Sequence, residues 1–117
     1  MHELSIAVSM IELAEEEAAR RGGVQVSAIH LRLGRLSGVA REALESCYEI
    51  ACAGTALEGS KLVIEEVPIV VYCSRCEARR TADSPQWFDC PGCGSPAEVV
   101  QGRELEIAAL ELEEAPA

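Results

Sequence analysis

The sequence predicts an α+β fold in which a small mixed sheet packs with two helices and a cysteine-rich module is inserted ahead of the last strand. Three observations carry this expectation. Apolar residues recur at helical spacing in two segments of the N-terminal half, and they alternate at strand spacing in three others. Two Cys-x2-Cys pairs then fall between the last two of those strands.

The first helix runs from Glu3 to about Arg21, with Leu4, Ala7, Val8, Ile11, Ala14 and Ala18 on one face and Glu12, Glu15, Glu16 and Glu17 mostly on the other. Glu3 at its start and Arg20-Arg21 at its end suit the helix dipole, and Gly22-Gly23 supplies the stop. The acidic run reads as a solvated helix face. Val24 to Leu33 follows as a strand in which Ile29, Leu31 and Leu33 alternate with His30 and Arg32, so His30 reads as a surface residue. Gly34 breaks that strand. Ser37 then caps a second helix from about Gly38 to Ala53, whose apolar stripe is Val39, Ala43, Cys47, Ile50 and Ala51. Gly54-Thr55 ends it. Lys61 to Val67 is the second strand, with Leu62 and Ile64 on one side and Pro68 as its boundary. Arg103 to Leu112 closes the sheet, Leu105, Ile107 and Ala109 alternating with Glu104, Glu106 and Ala108. The implied organisation is a domain of residues 1–68 completed by 103–117, with residues 69–102 inserted between its last two strands.

Composition bounds what such a chain does. At 117 residues, with 49% hydrophobic and 26% charged residues, it reads as a soluble globular protein with a modest core, mainly aliphatic because aromatics make up 3%. Twenty acidic residues against ten basic ones give a net charge of −10, which repels phosphate and disfavours nucleic acid and anionic membranes as partners. No charge-free apolar stretch approaches the roughly 20 residues that span a bilayer, and Glu3 stands where a signal peptide carries positive charge; both point to the cytoplasm and away from membrane insertion. In that compartment six cysteines read as metal ligands plus free thiols, not as a disulfide framework. Cys47 and Cys52, within a helical segment, read as small buried hydrophobes.

The other four form Cys73-Ser-Arg-Cys76 and Cys90-Pro-Gly-Cys93-Gly, with 13 residues between the pairs. A two-residue gap lets both sulfurs face one ion while backbone N–H groups of the turn stabilise the thiolates. Four sulfurs leave no open coordination position, so the site is structural, and a module of this size lacks the apolar surface to fold unaided. Zinc is the first choice and gives a zinc-ribbon-like domain; a rubredoxin-like iron centre uses the same hooks. A second, weaker signal is the opening Met1-His2-Glu3. The Met1 amine, the His2 amide nitrogen and the His2 imidazole form fused chelate rings in one plane, with the amide or carboxylate of Glu3 for the fourth position. Square-planar nitrogen coordination selects Ni(II) or Cu(II). An enzyme is the least supported class, because the motifs supply no nucleophile–base pair.

Taken together, the Met1-His2-Glu3-Leu4-Ser5 start, the Leu33-Gly34-Arg35-Leu36-Ser37-Gly38-Val39 turn, the Gly54-Thr55-Ala56-Leu57-Glu58-Gly59 segment leading into Ile64-Glu65-Glu66-Val67-Pro68, and the paired knuckles resemble the HypA/HybF family of nickel-incorporation proteins. The resemblance covers essentially the whole chain. It implies a nickel metallochaperone, not an enzyme, that binds Ni(II) as transferred cargo at Met1, His2 and Glu3 and holds structural Zn(II) at Cys73, Cys76, Cys90 and Cys93. It further implies delivery to the large subunit of [NiFe] hydrogenase together with the GTPase HypB, by a monomer or weak homodimer.

Overall fold

Helix α1 (Glu3–Arg20) ends where the glycines require it. In the computed structural model, which describes residues 2–82 and 88–114, Gly22 adopts φ 86°, and the N–H groups of Gly22 and Gly23 donate to the carbonyls of Ala19 and Ala18. That pair of backward bonds closes the helix end, and it needs a residue free of the Cβ penalty at positive φ. The buried face of α1 is Ala7, Met10, Ile11, Ala14 and Ala18. Leu4 and Val8, expected inside, are 50% and 41% exposed, and Met10 is buried instead. Leu4 and Val8 stand at the margin of the apolar arc, and the long Met10 reaches inward from its other margin.

Strand β1 (Gln25–Gly34) buries Val26, Ala28, Ile29, Leu31 and Leu33. The expected inward set is present; Val26 and Ala28, of the other parity, are buried as well, so the alternation is interrupted between Ala28 and Ile29. Helix α2 (Arg41–Cys52) corrects the sequence reading twice. Its N-cap is Ala40, without a side-chain cap bond, and not Ser37. Its buried residues are Leu44, Tyr48 and Cys52, one turn apart each, with Val39, Cys47 and Ala51 packed at the margin. Ile50 is 69% exposed and Ala43 is also outside. Spacing alone admits either face; the Leu44–Tyr48–Cys52 stripe buries more apolar surface than the alanine-rich one, and burial decides.

Strand β2 (Lys61–Val67) turns Leu62 and Ile64 to its more buried side and stops before Pro68, as expected. Strand β6 (Leu105–Glu113) departs from strict alternation. Ile107, Leu110 and Leu112 pack on the core, while Leu105 and Ala109 are exposed. Ile107 and Leu110 are three positions apart, so a period of two is interrupted there. The three strands form one sheet in the order β2-β1-β6. His30 lies half-exposed, its Nε2 2.8 Å from Glu111 Oε2 on β6.

The segment between Pro68 and Arg103 builds a second three-stranded sheet, in the order β4-β3-β5, from β3 (Val70–Cys73), β4 (Ala78–Thr81) and β5 (Glu98–Gln101). Both pairings are antiparallel. Contacts divide the chain into two units. One runs from the N-terminus to Leu31, resumes over Val39–Glu65 and closes with the segment from Glu106; the other comprises Arg32–Gly38 and Glu66–Leu105. Within the second, the Gly34 and Leu36 N–H groups donate to the carbonyls of Glu104 and Gly102 at 2.7 Å each. Gly34 is obligatory in that stitch, since a Cβ there would land on the Gly102 carbonyl.

Candidate metal centre

Cys73 is the last residue of β3, and a turn carries the chain through Cys76 into β4. Cys90 and Cys93 lie on a second turn closed by the Asp89–Pro96 bridge and by the Cys90 N–H donating to the Ser95 carbonyl at 2.7 Å. The residue after the second cysteine of each pair has a positive φ, Glu77 at 51° and Gly94 at 75°. The structure thus brings the four predicted sulfurs together, all within 4.8 Å of one another.

The geometry fits a tetrahedral ion. Zinc–sulfur bonds of about 2.3 Å at tetrahedral angles put sulfurs about 3.8 Å apart. Cys73 and Cys93 Sγ are 3.6 Å apart, and Cys76 and Cys90 Sγ 3.9 Å. The Cys76 N–H points to Cys73 Sγ and the Gly92 N–H to Cys90 Sγ, both at 3.4 Å, the backbone support expected of the knuckles.

Without a metal Cys76, Cys90 and Cys93 are unequal. The Ser95 hydroxyl and then its backbone N–H lower the Cys93 pKa to about 6. Burial opposes ionisation of Cys90, but the Gly92 and Cys93 backbone N–H groups outweigh it and its pKa is lowered. Cys76, hydrogen-bonded to the Cys93 and Cys73 sulfurs and partly buried, is pushed up to about 11. Cys93 is thereby readied as an anion while Cys76 keeps its proton, and a bound divalent ion would displace that proton. Ser95 and Arg80, whose guanidinium reaches this cluster, were not singled out from the sequence. Ser95 had a readable signal, its position two residues after a knuckle cysteine. Arg80 had none before the β3–β4 register was known.

The other predicted site residues belong to the first unit. His2 is exposed and occupies the N-cap position of α1, where its carbonyl accepts the Ile6 N–H at 3.2 Å and its side chain makes no cap bond. Glu3 is half-buried, and its carboxylate accepts the Ala40 N–H at 3.2 Å, which lowers its pKa. Met1 lies outside the described residues. Cys52 is buried and Cys47 half-buried against the aliphatic core, as small hydrophobes. Among the described residues no helix is long and apolar enough to cross a membrane.

Residues 1–112 match the family model described as HypA, hydrogenase/urease nickel incorporation, metallochaperone. The chain belongs to the HypA family. It is 51% identical over 115 residues to the hydrogenase maturation factor HypA of Roseiflexus sp. (strain RS-1), covering 97% of this chain and 94% of that one. The fold resembles the solution structure of the Ni metallochaperone HypA from Helicobacter pylori, with a TM-score of 0.66 at 22% identity, covering 98% of this chain and all of that one. A second solution structure, of a HypA protein, superposes with a TM-score of 0.71 at 23% identity over 97% of each chain. Like these HypA structures, the chain combines two helices with small sheets.

Proposed function

We propose that this chain is a nickel metallochaperone that carries Ni(II) at its N-terminus and delivers it for maturation of [NiFe] hydrogenase. The single observation that carries this reading is the match to a nickel-incorporation family from residue 1 to residue 112, which includes the start of the chain. In it, the Met1 amine, the His2 amide and imidazole, and Glu3 hold the nickel, while Cys73, Cys76, Cys90 and Cys93 hold structural zinc. Residues 1–68 with 103–117 make the nickel domain and residues 69–102 the zinc domain. The acceptor is the hydrogenase large subunit, the GTPase HypB is the working partner, and the setting is the cytoplasm, with the protein a monomer or weak homodimer.

An exposed imidazole free of cap bonds supports the reading, because it keeps its lone pair for metal. The Glu3 carboxylate, bonded to the Ala40 N–H, favours the Glu3 main chain over its side chain as a companion ligand. Such a carrier transfers and does not turn over: nickel held on a chain terminus yields stepwise to incoming ligands, and protons compete with it for imidazole and amine.

The test is metal analysis and nickel titration of untagged protein beside His2→Ala and a variant extended ahead of Met1. Both changes weaken nickel binding by at least about tenfold, a loss of roughly 1.4 kcal/mol, and leave bound zinc unchanged. Equal nickel affinity in all three proteins defeats the N-terminal site.

A further inference from the structure

The register of the second sheet brings an arginine to the cysteine cluster. Arg80 of β4 stands opposite Val71 of β3, Ala78 opposite Cys73, and Arg79 opposite Tyr72. Directly paired residues share a sheet face, and neighbours along a strand alternate between faces. Val71 and Cys73 are buried and Tyr72 is exposed, so Arg80 leaves the strand on the cysteine face and Arg79 on the opposite one. The guanidinium then lies along Gly92, inside the second knuckle: a Cβ on Gly92 would stand 3.3 Å from Arg80 Nε and 3.4 Å from Nη2. From there the guanidinium neighbours the sulfurs of Cys76 and Cys90, one from each knuckle, and their proximity raises its pKa.

Four thiolates around one divalent ion leave an excess of about two negative charges in a partly desolvated place. A planar fork of donors can meet two acceptors at once, which a point charge on a flexible stem cannot. We propose that Arg80 is a positioning residue of the tetrathiolate site, bridging one sulfur of each knuckle from its seat on Gly92, offsetting the excess charge and holding the knuckles at metal-binding distance. The inference rests on the zinc reading of the four cysteines.

The experiment uses the full chain loaded with zinc and, separately, with cobalt(II), in the wild type and in Arg80→Met, Arg80→Lys and Arg79→Met. Two quantities are read: the rate of zinc release to excess chromogenic chelator, and the energy of the sulfur-to-cobalt charge-transfer band. Arg80→Met releases zinc at least about tenfold faster, the scale of a lost partner to a metal ligand. Its band moves to lower energy, because the sulfur lone pairs lose a donor. Arg80→Lys restores the charge without the fork and falls between, and Arg79→Met behaves as wild type. The inference is overturned if Arg80→Met leaves both quantities unmoved, or if Arg79→Met moves them as far. Should Arg80→Met take up no metal, Arg80→Lys decides: an intermediate band and rate support the bridge, and wild-type values overturn it. A wild type without the tetrathiolate band removes the zinc reading and this inference with it, whereas a normal wild type with unmoved variants removes the inference alone.

Discussion

Twelve buried side chains, from Ala7 to Leu57, form one cluster in the unit that begins at the N-terminus; in the unit around the cysteines the described core cluster holds three, Ile69, Val71 and Ala82. Charge divides as unevenly. Six arginines and six acidic residues fall in the cysteine unit, so the remaining fourteen of twenty acidic and four of ten basic residues place the whole net charge of −10 on the other. The first unit has apolar surface enough to tolerate that self-repulsion. Among its described residues the second has a small core, it carries little net charge, and on the zinc reading its cohesion falls to four sulfurs and the ion they would hold. An argument from total charge against phosphate partners is therefore an argument about the first unit.

The largest expected effect breaks the comparison at its weakest member. Chelation of the metal, or Cys90→Ser, unfolds the cysteine unit and leaves the helices of the first unit intact. Structural zinc in small modules is worth about 10–16 kcal/mol at neutral pH. The apolar side chains described as buried in that unit, Leu33, Val67, Ile69, Val71 and Ala82, at up to roughly 1.5–3 kcal/mol each, cannot replace it against an ordering cost of about 1–2 kcal/mol per residue. Amide spectra before and after chelation check this: resonances of Val70–Cys73 and Ala78–Thr81 should collapse while those of Glu3–Arg20 stay dispersed. Persistent dispersion in both regions would mean that the cysteine unit folds without metal.

How much of this was legible depended on which interaction fixes each element. The stop after Arg20, the four-sulfur cluster and the boundary at Pro68 are dictated by chemistry local in sequence, and they stand where expected. The inward face of α2 and the phase of β6 are not local. Ala43 and Ile50 fit a helical stripe as well as Leu44 and Tyr48 do, and the choice falls to what β1 and α1 offer to bury them. Arg80 is the extreme case, because its role depends on standing opposite Val71, which no spacing along the chain records.

A smaller effect sharpens the contrast from the other side. Leu44 has no exposed surface and packs in the aliphatic cluster, so Leu44→Ala costs about 2–5 kcal/mol through lost burial and the cavity left behind. Chemical denaturation followed by helical circular dichroism measures it. Zinc release should keep its wild-type rate, because Leu44 belongs to the core that contains no cysteine ligand. Accelerated release would show that the two cores are coupled.

The smallest effect tests whether the first unit is also held by polar chemistry. Tyr48 is buried, and its hydroxyl lies 2.7 Å from Ser60 Oγ, itself 3.8 Å from the Cys52 sulfur. Burial pushes the Tyr48 pKa up to about 12; the Ser60 bond opposes the rise and Cys52 adds to it. An unfolded tyrosine ionises near 10. The raised value means that folding favours the protonated phenol, so its contribution is complete below pH 10 and is lost as the pH climbs toward 12. Tyr48→Phe should then cost about 1 kcal/mol at neutral pH, the net worth of a hydrogen bond, with Ser60 half-exposed and able to turn to water. Above pH 10 the wild type should lose stability more steeply than the variant, and the gap between them should close. Denaturation midpoints of the two zinc-loaded proteins at pH 8 and pH 11 decide it. Parallel losses would place the phenol in contact with solvent and leave aliphatic burial alone in charge of the first unit.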